Sequence, residues 1–243
     1  MSTSGRPVKA TAGRRFQRRA RQEADKQALQ MRILETARKE FATGTVETVS
    51  IQRIADALGY SKGTVLKYFP TKIVLLVAVK QRNLEEISDR LQRVRARNPN
   101  SEIRLRRVME AYIDYWVDNP DDYRSVFSMA GTVEDRRYPN GVYFGDTEVA
   151  VAGVQTFVTS VEEFLAEKGV EASFVLSQRL ATAILSAAHG VISLPLGTPT
   201  MQWPNIRANG RLVVGSLIDA WAMKLDAARK TDSWPKVSVN AFL

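Results

Sequence analysis

The chain has 243 residues, of which 44% are hydrophobic and 25% charged, as in ordinary folded proteins of one large or two small domains. It has no cysteine and one histidine, His189, which excludes disulfides, Cys-ligated zinc and a two-histidine metal site within one chain. No apolar run is expected to approach the roughly 18 residues of a transmembrane helix. The polar N-terminus lacks the apolar core of a secretory signal, so we expect a cytoplasmic protein.

The net charge of +9 is concentrated in the N-terminal third of the chain. Residues 1–80 carry sixteen Lys and Arg against six Asp and Glu, whereas the remaining residues carry nineteen against twenty. This asymmetry indicates that the N-terminal region meets a polyanion, for which DNA, RNA and an anionic membrane surface all qualify.

Residues 1–22 are predicted to form a disordered basic arm, with the frayed start of a helix as the alternative for its Arg-rich part. They hold seven Lys and Arg, no acidic residue and almost no large apolar side chain, so little apolar surface is available to offset the entropy of ordering. Helical periodicity begins near Asp25, where apolar residues start to recur at every fourth position. The pattern predicts a first helix over residues 25–43.

Residues 48–72 carry the pattern of two short helices joined by a tight turn. Ser50 and Ser61 are natural N-caps, and Gly59 between them can adopt a positive φ without a steric clash. Pro70 ends the second helix and Thr71 caps the next one. We therefore predict a helix-turn-helix within a DNA-binding domain of residues 23–72.

Residues 73–243 are predicted to form a second, helical domain. Apolar periodicity and helix-breaking Pro and Gly residues place six further helices over residues 72–93, 101–117, 121–130, 146–168, 172–194 and 205–229. Residues 131–145 and 195–204 are expected to be loops. No strand pattern or internal repeat stands out, so the predicted fold is all-α with about nine helices.

A family resemblance appears in the helix-turn-helix region. Residues 54–65 (IADALGYSKGTV), residues 68–72 (YFPTK) and Leu75-Leu76 closely resemble the DNA-binding domain of TetR-family transcriptional regulators. Two positions depart from the family pattern: Leu66 stands where a phosphate-contacting tyrosine is usual, and Gly44 comes earlier than the usual glycine after the first helix. In the second domain, His189-Gly190 resembles a signature of one group of TetR-like ligand-binding domains.

The resemblance implies that residues 61–69 form a recognition helix in the major groove. Lys62 or Thr64 is expected to contact base edges, the lysine at guanine and the threonine methyl at thymine. Gly63 would let the backbone approach DNA closely. The remaining expected contacts, mainly to phosphates, are Thr48, Ser50, Ser61, Lys67, Tyr68 and Lys72. Tyr68 as a core aromatic and Thr71 as a pure N-cap are the alternatives.

The basic arm is a further expected DNA contact. Its arginines could enter an adjacent narrow minor groove or bind phosphates, and those singled out are Arg14, Arg15, Arg18 and Arg19. The alternative is a solvated tail with only diffuse attraction, which would still raise affinity through counterion release.

The resemblance also implies a homodimer that binds a palindromic operator and responds to a small apolar or aromatic effector. The dimer would form through the helices near residues 172–194 and 205–229, which carry both small and bulky apolar residues. A pocket is expected among Met109, Tyr112, Trp116, Phe127, Phe157, Phe164 and His189. The alternatives are that these aromatics are ordinary core residues and that His189 is a hydrogen-bonded structural residue.

Two other classes of protein remain open. A non-specific nucleoid-type protein would explain the basic N-terminus but not the long, nearly neutral second domain. An enzyme with a DNA-binding appendage would need a catalytic constellation, and the sequence shows none, so we expect neither an enzyme nor a cofactor. A membrane-surface protein is disfavoured because Glu35 and Glu40 lie among the bases of the first helix.

Overall fold

The computed structural model describes residues 9–44, 48–128, 148–171 and 173–230. All regular structure within these ranges is helical, which confirms the all-α expectation. The helices are α1 (Lys9–Thr43), α2 (Ile51–Leu58), α3 (Lys62–Tyr68), α4 (Lys72–Ala96), α5 (Ser101–Asp118), α6 (Pro120–Tyr123), α7 (Glu148–Glu167), α8 (Phe174–Gly197) and α9 (Ile206–Lys230), with a π-helical segment over Arg124–Ser128 after α6.

The first helix is longer than the sequence pattern predicts. It begins at Lys9 instead of Asp25, so residues 9–22, predicted to be a disordered arm, are helical. The reason is local: this stretch consists mainly of Lys, Arg, Ala and Gln, which favour helix intrinsically, and no proline interrupts residues 8–69. Residues 1–8 of the predicted arm lie outside the described residues.

The ends of two other helices also differ from expectation. The helix predicted over 121–130 is a short α6 followed by the π-helical segment, and residues 129–147 lie outside the described part of the chain. Helix α8 continues through Pro195 to Gly197 instead of ending at residue 194. A proline this close to a helix end removes only one hydrogen bond of the last turn.

Helix α8 also corrects the expectation that no apolar run approaches a transmembrane length. Among the described residues it is the one helix long and apolar enough, by length and composition alone, to cross a membrane. A single helix of this kind is weak evidence for a membrane span, since core helices of globular proteins meet the same criterion.

Contacts divide the chain into two compact units, residues 1–79 and 80–243. The division falls inside α4, beyond the predicted boundary at residue 72. In the first unit, α2 packs on both α1 and α3. Its core is built from apolar residues of all these helices and of the start of α4, namely Ile33, Leu34, Ala37, Phe41, Val49, Ile51, Ile54, Ala55, Val65, Phe69, Leu75, Leu76 and Val79.

In the second unit, helix α5 is the central element and packs against α7, α8 and α9. Close approach of α5 and α9 depends on Gly210, where an added Cβ would lie 2.9 Å from both Cδ1 and Cγ2 of Ile113. Ion pairs line the same helix pair at the surface, among them Arg211 with Asp114 at 3.0 Å and Arg106 with Asp219 at 2.7 Å. The packing fixes the orientation of the aromatic side chains that α5 carries.

Candidate functional site

The turn between α2 and α3 has the geometry that the sequence predicts. Gly59 adopts a left-handed conformation with φ 72° and ψ 29°, and it terminates α2. Ser61 caps α3 by accepting a hydrogen bond from the Thr64 amide at 3.2 Å. Ser50 occupies the N-cap position of α2, but its side chain makes no capping hydrogen bond. The expected role of the Ser50 hydroxyl as a cap is therefore wrong, although its position is right.

Helix α3 has an exposed polar face and a narrow buried face. Val65 is completely buried, whereas Lys62, Gly63 and Lys67 are exposed. A Cβ added at Gly63 would meet only the Ser61 Oγ atom, at 3.8 Å, so the surface beside it is open. Of the other predicted DNA contacts, Ser61 and Thr48 are exposed and Ser50, Thr64 and Tyr68 are partly buried. The set therefore lies at or near the surface of this unit.

The predicted phosphate contact Lys72 has a structural partner. Its Nζ atom donates to the backbone carbonyl of Val49 at 3.1 Å and so joins the start of α4 to the segment that precedes α2. Thr71 caps α4, because its Oγ1 atom accepts a hydrogen bond from the Val74 amide at 3.1 Å. The observed capping agrees with the alternative interpretation of Thr71.

Two further residues belong to this surface, and neither was among the predicted DNA contacts. Tyr60, in the turn, is 39% exposed. Leu66 is partly buried in α3 and does not belong to the buried core. Tyr60 and Leu66 occupy hydrophobic positions of the motif, and the sequence pattern alone gives no reason to place them at the surface of the unit. The backbone of Arg14, Arg15, Arg18 and Arg19 lies in α1, and their side chains lie outside the described part of the structure.

An aromatic cluster surrounds His189 in the second unit. The Tyr112 hydroxyl lies 2.7 Å from Nε2 of His189, and the Tyr123 hydroxyl lies 2.8 Å from Nδ1. The Phe127 ring lies edge-on to the imidazole, with ring centroids 4.6 Å apart. Burial lowers the pKa of His189 and raises the pKa values of Tyr112 and Tyr123. The imidazole and both phenols are therefore held in their neutral forms.

Five of the predicted pocket residues come together through ring contacts. Tyr112 contacts Trp116, Phe157 and His189, and Phe127 contacts both Trp116 and His189. The other two predicted residues, Met109 and Phe164, are fully buried in the same core. Tyr123 was missed, because nothing local in the sequence links it to a histidine 66 residues away. Phe127, at 44% exposure, is the most accessible ring of the predicted set.

A separate cavity of about 300 Å³ lies at the turn between α4 and α5. Its wall includes Arg95 and Arg104, and both guanidinium groups pair with the Glu163 carboxylate of α7. Burial opposes ionisation of Glu163, but the hydrogen bonds from the two arginines outweigh it and lower the pKa of this carboxyl. The cluster is an ion-pair network that joins three helices, and within the described residues the Nε atom of Arg95 is buried without a hydrogen-bond partner.

Helices α8 and α9 each leave one face uncovered in the single chain. Only 28% of the apolar stretch of α8 is buried, and Leu194 is 53% exposed. On α9, Leu212 and Met223 are 68% and 72% exposed. Thirteen small or bulky residues of these two helices were expected to support dimerisation, and the structure divides them into three groups. Those buried in the core of this unit are Leu180, Ala181, Ile184, Ala188, Gly215 and Trp221; those partly buried are Ala187, Gly190 and Leu217; and those exposed are Ala183, Leu212, Ser216 and Ala220.

The described residues contain no group of three or more His, Cys, Asp or Glu side chains that could hold a metal ion. His189, the one histidine, has both ring nitrogens in hydrogen bonds to tyrosine.

Comparison with known proteins identifies the first unit. Residues 33–79 match the model of a family described as bacterial regulatory proteins, tetR family. Over 95 residues the chain is 27% identical to the HTH-type transcriptional activator FasR of Mycolicibacterium smegmatis, a match that spans 39% of this chain and 43% of FasR. The similarity in sequence therefore covers less than half of the length of this relative.

Similarity in structure extends over both units. A protein of unknown function from Rhodococcus sp. RHA1 superposes with a TM-score of 0.62 and 18% identity, covering 79% of this chain and 93% of its own. The TetR-family transcriptional regulator PfmR of Thermus thermophilus gives a TM-score of 0.54 and 21% identity, covering 76% of this chain and 96% of its own. At these identities the likeness shows the fold.

Proposed function

Since the chain is a member of the bacterial TetR family of transcriptional regulators, we propose that it is a cytoplasmic, ligand-responsive repressor that binds a palindromic operator as a homodimer. The observation that carries the proposal is the capped helix-turn-helix, whose second helix exposes Lys62, Gly63 and Lys67. No catalytic role is proposed for any residue.

Recognition of DNA divides between base contacts and phosphate contacts. Lys62 lies exposed in the first turn of α3 and can reach a base edge in the major groove. Lys67 in the last turn of α3 provides a positive charge for a phosphate. Lys72 would have to give up or share its hydrogen bond to Val49 in order to bind a phosphate, so it is the weakest member of the predicted set.

Dimerisation is supported by the uncovered faces of α8 and α9. Soluble monomers rarely expose a continuous apolar stripe, and such stripes usually mark protein interfaces. The exposed residues combine bulk at Leu212 and Met223 with small side chains at Ser216 and Ala220. This alternation allows two copies of the helix pair to approach closely. A two-fold dimer would present two α3 helices to half-sites about one helical turn apart.

The proposed effector site is the aromatic cluster around His189. Its polar groups are one imidazole and two phenols, and the remainder of the cluster is apolar, which suits an apolar or aromatic molecule. Such a molecule would regulate only if it bound the DNA-competent and the DNA-free states with different affinities.

The first experiment is selection of bound molecules from random-sequence duplex DNA at near-physiological salt. We expect a palindrome with half-sites about one turn apart. Enrichment of no motif, together with binding that is lost steeply as salt rises, would favour a general DNA-coating protein. Lys67→Ala should weaken binding to all sequences similarly and lower the salt slope by about 1 per half-site. Lys230→Ala, the same change of charge in the second unit, should leave binding unchanged.

The effector site is tested with a thermal-shift screen of small apolar and aromatic molecules, followed by operator-binding assays of each hit. We expect a hit to change operator affinity and to lose its effect in Phe127→Ala. Phe174→Ala removes a similarly exposed ring from the start of α8 and serves as the control. A hit whose effect survives Phe127→Ala, Phe157→Ala and His189→Gln would place the effector elsewhere.

Activation is the second possible output, and the name of FasR as a transcriptional activator favours it. Repression is the default proposal because a bound dimer that overlaps a promoter blocks polymerase. A reporter gene placed behind the selected operator, with and without this protein, separates the two. Lower expression with the protein present would support repression, and higher expression would support activation.

A further inference from the structure

Leu66 has no role in the interactions described so far. It follows the completely buried Val65 in α3, yet it is only partly buried and does not belong to the core of its unit. The resembled family usually has tyrosine at this position. Leucine has no polar atom, so it cannot replace a hydrogen bond from that tyrosine to a phosphate.

The surroundings of Leu66 belong to the exposed side of α3. Helical spacing puts it one turn after Lys62 and Gly63, both of which are exposed. Gly63 has no side chain to cover the neighbouring surface, and a Cβ there would meet only Ser61 Oγ at 3.8 Å. An apolar side chain therefore lies next to an open surface on this side of the helix.

We propose that Leu66 is a specificity-determining residue that contacts the 5-methyl group of one thymine in each half-site. The inference rests on the proposed function, because it requires α3 to lie in the major groove. The thymine methyl is the apolar group that base pairs display there. Packing one methyl group against leucine contributes about fourfold in affinity per half-site.

The test uses the operator recovered by selection and replaces each thymine in turn with deoxyuridine, which removes only the 5-methyl group. The wild-type protein should bind about fourfold more weakly, per half-site, when one particular thymine is replaced. In Leu66→Ala the ratio of affinities for the thymine and deoxyuridine operators at that position should fall to one. Leu66→Met keeps an apolar side chain of similar volume and should retain the preference for thymine.

The ratio is measured within each variant, so a fraction of misfolded Leu66→Ala protein cancels from it. The control is Ile103→Ala, which removes a large apolar side chain from a position that is 51% exposed in the second unit, and it should discriminate thymine from deoxyuridine as the wild type does. Thr64→Ser tests the other expected thymine contact, because it removes the threonine methyl group and keeps the hydroxyl that is hydrogen bonded to Ser61. The inference is overturned if Leu66→Ala preserves the discrimination, whatever Thr64→Ser does, or if no thymine replacement changes wild-type affinity.

These outcomes differ from failure of the proposed function. If selection recovers no motif, both the operator-binding function and the role of Leu66 fail together. If a palindrome is recovered and the thymine preference does not depend on Leu66, the proposed function stands and only this inference is lost.

Discussion

The Nε2 atom of His189 lies 2.7 Å from the hydroxyl oxygen of Tyr112, and the Nδ1 atom lies 2.8 Å from the hydroxyl oxygen of Tyr123. A neutral imidazole has one N–H group and one lone pair, so one tyrosine donates to the ring and the other accepts from it. Burial lowers the pKa of His189, which keeps the ring neutral and preserves this arrangement.

The depressed pKa of His189 predicts a pH-dependent contribution to stability. In the unfolded chain the imidazole titrates near the ordinary value of about 6.5, whereas in the folded protein it takes up a proton at lower pH. As pH falls below about 6.5, the unfolded state binds the proton first, so the free energy of unfolding decreases. Above that pH the neutral ring makes its full contribution to the free energy of unfolding.

His189→Gln isolates this contribution in thermal unfolding measured from pH 7.5 to pH 5. At pH 7.5 the variant should be less stable by about 1–3 kcal/mol, because a tyrosine hydroxyl loses its partner. The deficit should shrink as pH falls, since only the wild type loses the histidine contribution. A deficit that stays constant or grows over this range would contradict the lowered pKa.

Substitution of Gly63 is expected to lower operator affinity without lowering the stability of the fold. In Gly63→Ala the new methyl group meets no protein atom closer than 3.8 Å, and alanine is favoured over glycine within a helix by up to about 1 kcal/mol. The melting temperature should therefore be unchanged or higher, while operator affinity falls if the backbone approaches DNA at this point. Gly153→Ala in α7, where a Cβ meets nothing within 4 Å, should keep full operator affinity.

Gly210 and Gly153 should respond oppositely to the same substitution. At Gly210 the added Cβ lies 2.9 Å from two atoms of Ile113, and overpacking of this kind typically costs about 1–3 kcal/mol, more than the helix-propensity gain. Denaturant unfolding should thus show Gly210→Ala as destabilised and Gly153→Ala as neutral or stabilised. Equal stability changes in the two variants would show that α5 and α9 do not pack as closely as described.

Substitution of Leu212 tests the proposed interface between two copies of the chain. Leu212→Glu puts a charge at a position that is 68% exposed in one chain but buried in the proposed dimer. Analytical ultracentrifugation should show a shift from dimer to monomer, with helical content unchanged and operator affinity reduced. Ile103→Glu, at a 51% exposed position on α5, is the matched control and should remain dimeric. Dimerisation of both variants would rule out this face of α9.

The sequence predicts the helix-turn-helix well because its signals are local. Gly59 and Ser61 act within a few residues of themselves, so their roles can be read from the types of residue present. The contact of Lys72 with Val49 and the hydrogen bonds of His189 join positions far apart in the chain. No sequence pattern encodes such pairs, and they arise only when whole helices pack.

The length of α1 and the division of the α8 and α9 faces could not be predicted for a different reason. An Arg- and Ala-rich segment fits both a disordered tail and a helix, since its composition offers no apolar face but favours helix intrinsically. On α9, Trp221 and Leu212 are both apolar, and only packing on α5 and α8 decides that the first is buried and the second exposed.

The uncovered apolar face of α9 has a consequence for how steeply this protein would control its gene. If only the paired form reads both half-sites, then at cellular levels below the dimer dissociation constant the amount of active protein rises with the square of the amount synthesised. A twofold change in expression would then alter the number of competent molecules about fourfold. Side chains such as Met223, which lie far along the chain from the recognition helix, would thereby determine how strongly the control of the gene responds to the cellular amount of this protein.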